Sequence, residues 1–165
     1  MRDPRVTRLS FEEYMAVNEV TFEWADSYDT KDWKRLKAII APSLIVDYTE
    51  VGLEKWESMS AEEFMDMVTH QGFLGDPLVN TQHMIGASKW EKISEVEIIG
   101  KHQIRAAHQR YTNSTKNVVA AKGHGHALIQ HRYLKIDGAW KLAGLRPSVR
   151  WNEFEFEKIF KGIKS

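Results

Sequence analysis

The sequence predicts an α+β fold in which helices come first, a curved antiparallel sheet wraps around them, and a short C-terminal helix closes the open end. Three observations carry that prediction. Apolar residues recur at helical intervals up to residue 40 and again after Ser60; from Asn80 the pattern switches to long β-branched, alternating runs separated by turn residues; and Phe156 and Phe160 stand four apart near the end. At 165 residues and 42% hydrophobic, the chain supports one core, so a single domain is expected over residues 1–165, with residues 1–8 disordered.

Ser10 stands three residues before Glu13, a capping-box spacing, and Tyr14, Val17, Val20, Thr21 and Trp24 follow at helical intervals, giving a first helix to about Tyr28. Trp33, Leu36, Ile39 and Ile40 share one side of a second helix over residues 30–40, which Pro42 ends for want of a backbone donor. A strand fits residues 44–48. Ser60 and Glu63 repeat the capping box ahead of Phe64, Met67 and Val68, so a third helix ends near His70. Residues 71–77 hold two glycines and a proline and read as a loop able to act as a lid. Four strands follow, over residues 81–90, 96–111, 118–134 and 140–146, joined by turn residues 112–117 and by Asp137-Gly138, a two-residue hairpin. Such a sheet must bury one face, and the preceding helices are its cover. A last helix fits residues 153–160. A sheet curled over helices leaves a conical cavity of the kind that takes small apolar ligands.

Composition excludes several classes of function. Lys plus Arg equals Asp plus Glu at 23 each, which leaves no basic field for nucleic acid or anionic lipid. The absence of cysteine removes disulfides, thiolate metal sites and cysteine nucleophiles, and fits a reducing compartment. The first residues, MRDPRVTRLS, lack the apolar run of a signal peptide, and no stretch is long and apolar enough for a membrane span. A soluble, cytoplasmic protein is therefore expected.

Phosphate-loop, dinucleotide and zincin motifs are absent, so the chemistry rests on histidines and tyrosines. His102, Ile104, Ala106, His108 and Arg110 share one parity, so a strand face that turns Ile104 and Ala106 to the cavity turns His108 with them. His83 sits in the same way ahead of Ile85 and Ala87. Imidazoles so placed can exchange protons near neutral pH, although a buried histidine is more often just hydrogen-bonded in a core. His124 and His126 lie two apart and could chelate, but no nearby carboxylate completes a metal set; Gly123, Gly125, Ala127 and Ile129, of opposite parity, suit a cavity wall better. Tyr28 ends the first helix and Tyr48 the first strand, and two phenols aimed at one carbonyl oxygen would stabilise an enolate. Asp29 could orient a histidine. Pattern alone favours ordinary capping and surface roles for these three.

The segments EWADSYDTKDW, IVDY, GDP, TQHMIG, HQRY, KGHGH, KIDGAWK and RWNEFEFEKIF, in this order from about Leu9 to Phe160, resemble scytalone dehydratase. The resemblance implies a cone-shaped α+β barrel of the nuclear transport factor 2 type, a homotrimer, and no metal or organic cofactor. It implies a hydro-lyase acting on scytalone and vermelone, bicyclic polyketide ketones on the fungal route to dihydroxynaphthalene melanin. Carried over by position, the two carbonyl-binding tyrosines match Tyr28 and Tyr48, acting through a water. The histidine that handles the proton and the leaving hydroxyl matches His83, its partner matches His108, and the aspartate supporting that partner matches Asp29. The apolar pocket is echoed by Met67, Phe73, Leu74, Pro147, Val149, Phe156 and Phe160.

Several positions depart from the family. Its serine and asparagine on the strand after KGH, which hydrogen-bond the substrate, are replaced by Ala127 and Ile129; a pocket phenylalanine becomes Val51 and a valine becomes Ala106. The expected result is a wider, more apolar pocket around the same acid–base set, with weaker binding of scytalone and room for a larger aromatic polyketide. Two other readings use the same residues: a cyclase or isomerase without net dehydration, and a non-catalytic binding module, since fold does not fix function.

Overall fold

The computed structural model describes residues 8–162, so the expectation of disorder over residues 1–8 lies, apart from Arg8, outside the described residues. Helix α1 (Phe11–Thr30) begins with the capping box read from the sequence: the Ser10 hydroxyl accepts from the Glu13 amide at 3.1 Å, and the Glu13 carboxylate accepts from the Ser10 amide at 2.9 Å. It ends at Lys31, whose φ of 56° turns the chain into the short helix α2 (Trp33–Ile39), capped by Asp32. Strand β1 (Ile40–Asp47) leads through a 3₁₀ turn (Thr49–Val51) to β2 (Lys55–Ser60) and helix α3 (Ala61–Val68), capped by Ser60 and Glu63 as expected. Four long strands follow: β3 (Val79–Ser94), β4 (Glu97–Tyr111), β5 (Val119–Ile136) and β6 (Ala139–Phe154).

The six strands form one curved sheet in the order β2-β1-β6-β5-β4-β3, which stays open between its β2 and β3 edges. Trp24, Tyr28, Leu36, Leu44, Phe64, Ile98 and Leu142 belong to one buried cluster between the helices and the concave face. This is the cone foreseen from the sequence. Parity along β4 holds: His102, His108 and Arg110 are buried and Ile104 and Ala106 half-buried, while Lys101, Gln103 and Arg105 are exposed. The hairpin at Asp137-Gly138 carries φ of 50° and 82°, the left-handed pair that this turn requires.

Five details correct the sequence reading. Pro42 lies inside β1 rather than just past a helix; the residue before a proline is driven to extended backbone, so the helix stops at Ile39 and the strand begins earlier. Strand β2 was not foreseen. The sheet is mostly antiparallel, but β1 pairs parallel with β6. Strand β6 runs past Pro147 to Phe154, because β1 pairing ends at Val46 opposite Leu145 and the proline has no ladder bond to lose on that side. Finally, residues 153–160 are not a helix: β6 ends at Phe154 with φ 56°, and only a 3₁₀ turn (Phe156–Lys158) follows.

Candidate active site

A cavity of about 260 Å³ opens inside the cone. Its polar end is assembled from the last turn of α1, the end of β1 and the facing strands β3 and β4. Tyr28, buried in α1, and Tyr48, buried after β1, bring their hydroxyls to 3.4 Å of each other. Burial pushes the Tyr48 phenol up to about 12 and Tyr28 well above its ordinary value, with the neighbouring Tyr48 adding to the latter. Both therefore remain neutral O–H donors at neutral pH.

His83 of β3 stands edge-on to Tyr28 at 5.4 Å and to His108 of β4 at 6.0 Å between ring centroids. Its Nδ1 meets the Asp29 carboxylate at 2.6 Å, and its backbone N–H donates to the other Asp29 oxygen at 2.8 Å. The Thr81 hydroxyl also donates to Asp29, at 2.8 Å. Burial pushes the Asp29 carboxyl up, but the hydrogen bonds and charge of His83 outweigh it and hold the group below the usual carboxylate range. The resemblance implied that Asp29 supports His108; the geometry instead puts it on His83. The reason is how α1 lies across the sheet: Asp29, one residue after Tyr28, faces β3, where Thr81 and His83 meet it.

His108 is held differently. Its Nδ1 lies 3.1 Å from the Gly123 carbonyl, so Nδ1 carries the hydrogen and Nε2 keeps its lone pair. Burial, then the neighbouring His83, pushes its pKa down to about 3. At neutral pH His108 is an uncharged acceptor.

The apolar wall contains Val51, Phe73, Leu74 and Ala106, with Ala127 and Ile129 from β5. Pro147, Val149, Phe156 and Phe160 line it as well. Met67 does not join them; it lies on α3 and is buried in the core. Residues 71–77 form turns that supply Phe73 and Leu74, and Phe73 packs on Phe160 at 5.0 Å. In place of the expected C-terminal helix, the reversal at Phe154 carries residues 155–160 across the opening. Gly123 permits that crossing, since a Cβ there would sit 2.4 Å from the Phe156 Cα. Arg110 ties the two covering segments together, donating to the Ile159 carbonyl at 2.6 Å and to Asp76 at 2.8 Å.

Sequence reasoning missed Glu50 and Asn152 as parts of the cavity wall, and its parity turned His126 away from a wall that His126 lines, as Trp24 does. Asn152 reaches it through a bulge: His126 pairs with Trp151 and Ala127 with Val149, so β6 carries one extra residue and the parity count fails. His126 stacks on Trp151 at 4.4 Å and lies 3.2 Å from Glu153. Among the described residues no group of three or more His, Cys, Asp or Glu gathers as a metal site, and no helix is long and apolar enough to cross a membrane.

Comparison with known proteins places these features in context. The family model for scytalone dehydratase matches residues 8–165. The chain is 57% identical to scytalone dehydratase arp1 of Aspergillus fumigatus, over 99% of this chain and 96% of that protein. It is 51% identical to scytalone dehydratase of Pyricularia oryzae, over 93% and 89% of the two chains. Among solved structures, a Kribbella flavida protein superposes with a TM-score of 0.73 at 12% identity, covering 86% of this chain and 93% of that one. A hexachlorocyclohexane dehydrochlorinase of Novosphingobium barchaimii superposes at 0.67 and 14% identity, covering 90% and 94%. These two establish only the shared cone-shaped fold, of the nuclear transport factor 2 type.

Proposed function

The chain belongs to the scytalone dehydratase family and is a hydro-lyase, and on that footing we propose that it eliminates water from a β-hydroxyketone of an aromatic polyketide, scytalone or a larger relative, through an enolate. One observation carries the assignment of roles: two neutral phenols, an imidazole backed by a carboxylate and an uncharged imidazole all converge on one apolar cavity.

Tyr28 and Tyr48 receive the ketone oxygen, directly or through a water, and stabilise the negative charge that forms there as the adjacent C–H proton leaves. His83 takes that proton on Nε2, the ring nitrogen that Asp29 leaves available, and the Asp29 carboxylate offsets the charge it acquires. The C–O bond then breaks with its electron pair on oxygen, His83 returns the proton, and the hydroxyl departs as water. Each proton taken is given back, so the enzyme ends as it began. His108 accepts a hydrogen bond from the substrate without becoming an acid, since its environment keeps it neutral.

Family membership favours elimination over cyclisation, isomerisation or passive binding. A cytoplasmic homotrimer serving melanin formation is inferred from the family alone, and native mass spectrometry tests the assembly. Mass spectrometry of the product separates the chemistries: elimination yields a species lighter by one water, whereas isomerisation leaves the mass unchanged.

A further inference from the structure

His83 belongs to the walls of two separate cavities. One is the apolar cavity above. The other is a groove of about 620 Å³ between α1 and β3, with Asn18, Asp26, Asp29, Gln82 and Ser88 on its sides. Strand β3 is an edge strand, and it carries one extra residue between Ile85 and Ser88, which pair with Ile104 and His102. That bulge sets the small residues Gly86 and Ala87 beside the groove and leaves it open. Asp29 belongs to the groove and not to the cavity wall; its side chain is 17% exposed against 9% for His83. Asp29 takes Nδ1 of His83 on the groove side, which leaves Nε2 as the ring nitrogen available to the cavity.

Bound substrate covers the cavity side of His83, so a proton that the ring holds during turnover can exchange with solvent only on another side. An imidazole can do so through its far side, gaining a proton at one nitrogen as it loses one from the other, so that each N–H broken is matched by one formed. We propose that the groove between α1 and β3 is a proton port, through which His83 exchanges with bulk water by way of Asp29 while the cavity is occupied. This rests on the dehydratase reading of the cavity, but concerns the route of protons rather than the reaction.

The Nδ1 proton of His83 offers a direct readout. Held against a carboxylate, it resonates far downfield in proton NMR and is assigned by its loss in His83→Gln. Its exchange with water is measured by saturation transfer, with the cavity filled by the naphthol product of scytalone dehydration, in the unsubstituted protein and in Ala87→Trp and Asn18→Trp. Both altered positions are exposed and flank the groove, so the indole fills it without entering the core. Exchange is expected to persist when the cavity is filled and to fall about tenfold when the groove is filled. An exchange rate untouched by both substitutions, or abolished by filling the cavity, overturns the port. Scytalone turnover is followed in parallel: its absence from the unsubstituted protein defeats the dehydratase reading, while the exchange result still decides the port.

Discussion

The Nδ1 of His83 and a carboxylate oxygen of Asp29 lie 2.6 Å apart, although the two residues are 54 positions apart in the chain. The contact fixes which nitrogen of His83 faces the substrate. Asp29→Asn keeps the shape but removes the charge and permits the wrong tautomer. We expect kcat to drop by about two to four powers of ten with KM little changed and the melting temperature close to that of the parent protein, read by steady-state kinetics and calorimetry. A change confined to KM would mean that Asp29 only shapes the pocket.

Tyr48→Phe removes one of two donors at the enolate oxygen while keeping the ring that packs against the core. A loss of about a hundredfold to a thousandfold in kcat is the expected size for one such donor. Tyr28→Phe should behave alike. The double variant should lose less than the product of the two, because the hydroxyls lie 3.4 Å apart and serve one oxygen.

Ala127 and Ile129 present methyl groups where the wall could hydrogen-bond a substrate hydroxyl. Ala127→Ser with Ile129→Asn should raise kcat/KM for scytalone while lowering stability by about 1–3 kcal/mol, because Ile129 is only 4% exposed and an asparagine there is unsatisfied without ligand. Steady-state kinetics checks the first half and urea unfolding the second. If the pair of changes leaves kcat/KM for scytalone unaltered, the polar anchors have no role in its recognition.

Stability should depend on three buried neutral histidines. Burial pushes His102 down to about 4 and His108 to about 3, and holds His131 well below its ordinary value. In the unfolded chain each titrates near its ordinary value of about 6.5, so between that pH and the folded value the unfolded state binds more protons. Stability therefore rises with pH through this window and is lost on acidification from about pH 6.5 toward pH 4, by about 1.4 kcal/mol per pH unit for each histidine. Unfolding free energies measured across the window give the slope, and His102→Gln should reduce it. A flat profile contradicts this.

How much of the molecule could be read from its sequence depended on the range of the interaction involved. Capping at Ser10 and Ser60 and the turn at Asp137-Gly138 are local, and all were legible. So was the inward face of β4, because its pairing with β5 keeps one parity from Glu97 to Arg110. Parity failed where strands carry extra residues: after Ile85 on β3, which turned Ala87 away and Ser88 inward, and before Trp151 on β6, which brought Asn152 to the cavity. The spacing of Phe156 and Phe160 mimicked a helix, but Phe154 reverses the chain and the segment is held from outside, by Arg110 on the Ile159 carbonyl and by the Gly72 carbonyl on the amides of Lys161 and Gly162. The union of Asp29 with His83 rather than His108 depends on how α1 lies across the sheet, which no local pattern encodes.

The most direct test of the proposed chemistry is an ultraviolet progress curve with purified protein and scytalone, with mass spectrometry of the product, run beside His83→Ala. A product lighter by one water from the unsubstituted protein, and none from a folded His83→Ala, is the predicted result. Undiminished turnover in His83→Ala, or no dehydrated product from the folded unsubstituted protein, would contradict it.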